Sequence, residues 1–192
     1  MVSDLRFWLL VPAVILPSFW VTALFLYQIS IAEQFGWTAA LLATAFTAFA
    51  VARITSSLGI GPLIDRWSAA RLFPYHLLPL GAGLAVAWYH PGDWSAFLYM
   101  ALMGLTLGAG SPIKSALWAE RYGEEVIGSV RSLFATLMVL STALSPALMG
   151  WLLDRNVTME TILAWAVISV ALGSLLAYLS LRPHLPPNSK AS

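Results

Sequence analysis

Gly61-Pro62-Leu63-Ile64-Asp65-Arg66-Trp67-Ser68-Ala69-Ala70-Arg71 is a short polar break, with two cations and one carboxylate, between two long apolar runs. Upstream lies Thr38–Leu58 and downstream Leu72–Tyr89. Each is close to the roughly 20 residues a helix needs to cross a hydrocarbon core of about 30 Å. The same ruler, carried outward, finds six such runs, near Phe7–Ala32, Thr38–Leu58, Leu72–Tyr89, Trp94–Ile113, Val126–Leu153 and Thr161–Leu181. They are continuous and much longer than the alternating strand of about ten residues that builds a membrane barrel, so they read as helices.

Composition points the same way. Of the 192 residues 59% are apolar and only 10% charged, against about a quarter charged in soluble domains. A mean hydropathy of +0.79 leaves too little polar surface to cover a water-soluble fold. An aromatic content of 12% opposes disorder. The absence of Cys removes disulfide and thiolate–metal frameworks. A net charge of +1 offers no field for nucleic acid. The expected fold is all-α: an integral membrane bundle of six transmembrane helices over residues 1–182. A polar, Pro-rich cytoplasmic tail at 183–192 is expected to be disordered.

The breaks carry turn chemistry. Gly36 is placed to stop one helix and Thr38 to cap the next, while Asp93 is expected to cap the fourth span. If the spans alternate, Arg6, Arg66, Arg71, Lys114, Arg121, Arg131, Arg182 and Lys190 share one side, Arg155 stands alone on the other, and Arg53 lies inside a span. Positive charge collects on the cytoplasmic side, so both termini are expected there, in a multi-pass protein of the inner or plasma membrane. Trp8, Trp37, Trp67, Trp88, Trp94, Trp118 and Trp151 fall near span ends, as an interfacial belt would require.

The Gly61–Arg71 stretch resembles the loop signature of the major facilitator superfamily: Gly, three residues, Asp, Arg or Lys, one residue, Gly, then clustered basic residues. Gly61, Asp65, Arg66 and Arg71 fit it, while Ser68 stands at the second Gly and Ala70 at one basic position. Gly61 is expected to let helices approach closely, and Asp65 to meet a helix N-terminus or a neighbouring Arg. Trp118–Gly123 with Gly128–Ser132 is similar to the corresponding loop between spans four and five. Ala143–Gly150 resembles the kinked fifth helix of a half. Tyr27–Trp37 resembles the first hairpin of the second half in monocarboxylate-porter-like members.

The resemblance implies the C-terminal six-helix half of this transporter fold. Its implied function is alternating-access movement of a small solute, a monocarboxylate or another organic anion, coupled to protons or exchange. Six spans form only one wall of a central cavity. A second six-helix half is therefore expected, as a separate chain or a second copy. Met1 stands almost directly before the first span, which favours truncation or a split gene over a homodimer. The alternative is a non-transporting remnant or membrane scaffold.

Arg53 is the candidate substrate-binding cation. It lies eight residues before Gly61, about 12 Å into the span, where an Arg should face protein or water rather than lipid. It either binds an anion or is snorkelling and structurally paired. Gln28 and Tyr27, near the outer end of span one, are candidate hydrogen-bonding groups for the solute. A conformational cluster is expected from Gly61, Asp65, Arg66, Arg71, Glu120 and Arg131, with Arg131 reaching Asp65 while Glu120 or Glu124 neutralises Arg66 or Arg71. Lys114 reads as a positive-inside anchor or a cavity cation, His76 as an interfacial residue, and Gly104, Gly108 and Gly110 as a packing seam. No His-Glu-x-x-His, Gly-x-Ser-x-Gly or phosphate-binding loop occurs, and no carboxylates pair inside a span. Neither an enzyme, a metal site nor a cofactor is expected.

Overall fold

The computed structural model describes residues 5–89 and 92–182, apart from the side chains of 123–125; residues 1–4, His90, Pro91 and 183–192 lie outside the described residues. Apart from short turns and caps, the chain is helical over this range because a backbone in hydrocarbon must satisfy its own hydrogen bonds. α1 (Leu5–Leu26) contains Pro12 and Pro17 and passes at Tyr27 into α2 (Gln28–Phe35). Gly36 closes α2 in the left-handed conformation, and the Thr38 hydroxyl accepts from the Leu41 N–H at 3.1 Å to open α3 (Ala39–Gly59). α4 (Gly61–Trp67), α5 (Ala69–Leu72), a 3₁₀ turn over Phe73–Leu77 and α6 (Leu78–Tyr89) follow.

The 3₁₀ turn has a direct cause. Pro79 brings no N–H for the Tyr75 carbonyl, which accepts from Leu78 instead, and Pro74 interrupts the ladder one turn earlier. The third apolar run is therefore a broken helical path.

Helical bonding then runs unbroken over Asp93–Asp154, yet this element folds back on itself. Lys114 Nζ lies 3.9 Å from Met138 Sδ, 24 positions away, a pair that a straight helix would hold about 36 Å apart. Trp118 stacks on Phe134 with ring centres 4.3 Å apart. The two arms are α7 (Asp93–Tyr122) and α8 (Val126–Asp154). The expected loop after Ile113 is thus helix for two further turns. Gly92 rather than Asp93 caps α7, with Asp93 as its first residue. Asn156, at φ 59°, turns the chain into α9 (Met159–Leu181), which Thr158 caps. Among the described residues five helices, α1, α3, α7, α8 and α9, are long and apolar enough to cross a membrane.

α7 is the centre of the bundle. A Cβ on Gly104 would collide with the Phe49 carbonyl, and one on Gly108 with the Arg53 carbonyl and the Ser56 hydroxyl, so these glycines let α3 lie directly on α7. Gly110 belongs to a different contact, since a Cβ there would sit 3.4 Å from His76. Serines tie the other helices by donating to carbonyls: Ser141 to Ile15 at 3.3 Å, Ser145 to Phe19 at 2.8 Å and Ser180 to Arg6 at 2.7 Å. Trp37 and Trp118 are core residues rather than members of an interfacial belt, while Trp8, Trp67, Trp88, Trp94 and Trp151 are exposed. Burial is uneven. Within the most apolar stretch of each helix, 50% of residues are buried in α7 and 44% in α1, but only 22% in α3 and α8.

Candidate solute-facing site

Cations inside apolar helices are the natural starting point, because each must find protein, water or an anion. Arg53 sits on the unpacked side of α3, exposed, with its guanidinium 6.0 Å from the Phe49 ring. Among the described residues it has no carboxylate partner, and its backbone rather than its side chain meets α7.

A second pair of cations lies elsewhere. Lys114 of α7 and Arg131 of α8 line one cavity of about 260 Å³, together with Ser111, Ser115 and Trp118, and Val14 of α1 closes part of the wall. The hairpin brings them together: reversal near Val126 places the last turns of α7 against the first turns of α8. Among the described residues neither cation has an ion-pair partner, and the Lys114 ammonium donates to the Met138 sulfur. Two like charges beside two hydroxyls and an aromatic wall are chemically suited to a small anion, which would relieve their mutual repulsion and accept charge-assisted hydrogen bonds. Lys114 is thus a cavity residue as well as a charge near a helix end. Sequence reading left this pocket unassembled, because the pairing depends on where the hairpin turns. The serines flanking Lys114 were the available signal.

The other expected site residues divide. The Tyr27 hydroxyl donates to the Pro146 carbonyl at 3.2 Å, and a Cβ at Gly150 would lie 2.5 Å from that hydroxyl, so Tyr27 fastens the first hairpin to α8. Gln28 is buried and, among the described residues, both its amide atoms lack hydrogen-bond partners. Such a group costs about 1–3 kcal/mol unless water or a solute satisfies it.

The cation-rich loop differs from expectation in its wiring. Asp65 and Arg131 do not pair among the described residues. Glu120 neutralises no Arg there; its carboxylate accepts from the N–H groups of Ala69 and Ala70 at 2.8 and 3.0 Å, holding the start of α5. It is Glu120, not Asp65, that meets a helix N-terminus. The side chain of Glu124 lies outside the described residues. Arg66 lies over the Trp67 ring at 5.9 Å, and Arg71 lines a different groove beside α9. A Cβ on Gly61 would meet nothing within 4 Å, so among the described residues no helix approaches it closely. Ser68 adopts φ 67° and ψ 151°, a region occupied almost only by Gly. A glycine, which the signature has at this position, would adopt that backbone shape without strain.

Comparison with known proteins places the bundle. Two curated relatives from Mycobacterium tuberculosis, of strains CDC 1551 / Oshkosh and ATCC 25618 / H37Rv, are each named "Multidrug resistance protein B homolog". Each is 26% identical to this chain over 133 residues, covering 69% of the chain and 25% of the relative. The chain therefore aligns with about a quarter of their length. The Major Facilitator Superfamily pattern matches residues 9–192, from the second turn of α1 through α9. With that match over a bundle of apolar, membrane-length helices, the chain belongs to the Major Facilitator Superfamily of membrane transporters.

Proposed function

We propose that this chain is one six-helix half of a secondary transporter, with the broken path from Ala69 to Tyr89 as its third span. It works with a complementary half to move a small organic anion by alternating access. The observation that carries the reading is the cavity shared by Lys114 and Arg131, whose charge and volume suit a monocarboxylate-sized anion. Arg53 is a second anion contact, reached when the complementary half covers α3. In this topology both termini and the Gly61–Arg71 loop face the cytoplasm, consistent with the distribution of Lys and Arg.

The low burial of α3 and α8 supports a missing half. One stripe of α3 reads Ala39, Ala43, Phe46, Ala50, Arg53 and Ser57, all exposed, with one large apolar residue among small and polar ones. Such a stripe fits close helix–helix approach better than contact with acyl chains. The open space around Gly61 lies at the end of the same helix.

The test is uptake of radiolabelled lactate by cells expressing the chain with and without a complementary six-helix half. Lys114→Gln and Arg131→Gln should each lower uptake by tenfold or more, since each removes a charge-assisted hydrogen bond of about 1.5–3 kcal/mol. Unchanged uptake in both, with membrane levels equal, would end this reading. A second reading is export of drug-like molecules, suggested by the printed name of the relatives. It predicts that expression lowers accumulation of a cationic dye and that the two Gln variants export the dye better, because the pocket cations repel it.

A further inference from the structure

Arg71 and Arg182 stand on α5 and at the end of α9, far apart in sequence, yet they line one cavity of about 410 Å³ with Tyr75 and Tyr178. Both are held in place. Arg182 lies over the Tyr178 ring with its guanidinium carbon 4.7 Å from the centre, and it donates to the Tyr178 hydroxyl at 3.3 Å. Arg71 rides on α5, whose first N–H groups are fixed by Glu120. That carboxylate is therefore committed to backbone. Among the described residues neither Arg has an ion-pair partner.

The Arg-lined cavity continues into an apolar groove. A groove of about 270 Å³ shares Pro74, Tyr75 and Tyr178 with it and runs on between Leu78, Ala171 and Leu175. These three residues are exposed, on the side of α9 that also carries bulky apolar Ile168 and Leu172. A cationic head joined to an apolar channel on a lipid-facing surface matches one class of molecule.

We propose that this groove binds an anionic phospholipid, its phosphate between Arg71 and Arg182 and one acyl chain along Leu78, Ala171 and Leu175. A free anion would use only the polar end. A choline headgroup would set its own cation against the two guanidiniums. The bound lipid joins the proline-broken path to α9, bracing the least regular part of the bundle. This assignment needs the chain to lie in a bilayer but is independent of the transported solute.

The experiment uses the purified full chain in detergent, with phosphatidylglycerol, phosphatidylcholine or inorganic phosphate added, read by native mass spectrometry and thermal unfolding. Phosphatidylglycerol should be retained about ten-fold over phosphatidylcholine and should raise the unfolding midpoint. The double variant R71Q/R182Q should lose that preference, R71K/R182K should keep part of it, and R121Q should keep all of it. A171W, which fills the apolar channel and leaves both Arg residues in place, should also lose it, and this arm decides the matter if R71Q/R182Q does not fold. Equal retention of the two lipids, displacement of phosphatidylglycerol by inorganic phosphate, or full retention in A171W would overturn the proposal.

Discussion

α9 and α3 are helices of similar length, 23 and 21 residues, and both leave much of their surface uncovered. They expose different chemistry. The open side of α9 presents Trp165, Ile168, Leu172, Leu175 and Leu179. The open side of α3 alternates a stripe with Val51, Ile54 and Leu58 and a stripe of small residues with Arg53. Apolar bulk is stable against acyl chains, whereas small residues gain little there and an Arg loses its hydration. Exposure alone does not tell a lipid-facing surface from one made for protein or water. The residue types on it do.

Four substitutions break or sharpen that contrast. The largest effect is expected for Leu172→Arg, near the middle of the apolar side of α9. It should oppose insertion by about 3 kcal/mol, read as a lower inserted fraction in a glycosylation-mapping assay, whereas Arg53→Leu should insert as well as the parent. Equal insertion of parent and Leu172→Arg would erase the distinction.

Next is Gly108→Val, where the space for a Cβ is already taken by the Arg53 carbonyl and the Ser56 hydroxyl. Forcing α3 off α7 should cost about 2 kcal/mol, seen as a shifted denaturation midpoint in micelles; Gly61→Val, facing open space, should change little. A smaller, opposite effect is expected at Ser68. Glycine there relieves a backbone region costing about 1–3 kcal/mol and gives back about 0.5–1 kcal/mol in unfolded-state entropy. Ser68→Gly should therefore stabilise by about 1 kcal/mol, and Ser68→Ala should not. The smallest is Ser145→Ala, which removes the 2.8 Å bond to the Phe19 carbonyl. Interhelical hydrogen bonds in membrane proteins average about 0.6 kcal/mol, so a loss above about 2 kcal/mol would mean that this bond carries more of the α1–α8 contact than its geometry suggests.

Much of the bundle was legible in the chain, and the site much less so. The apolar runs, the Gly36 stop, the Thr38 cap and the Gly104–Gly108 seam depend on residues close in sequence, where periodicity and capping act directly. Trp37 and Trp118 were misplaced in a belt because nearness to a span end does not fix which side of the helix faces inward. Glu120 was matched with the wrong partners because charges suggest other charges, while the structure satisfies this carboxylate with two backbone N–H groups.

Sequence alone determined the solvent and the element type, since long apolar runs in lipid have helix as their means of satisfying the backbone. Tertiary structure decided which cations became neighbours. Lys114 and Arg131 share a cavity because a continuous helical element reverses near Val126, and Arg71 and Arg182 share another because the 3₁₀ turn that follows α5 packs against α9. Neither arrangement follows from local periodicity, because each is fixed by where the chain turns and by which helix faces pack.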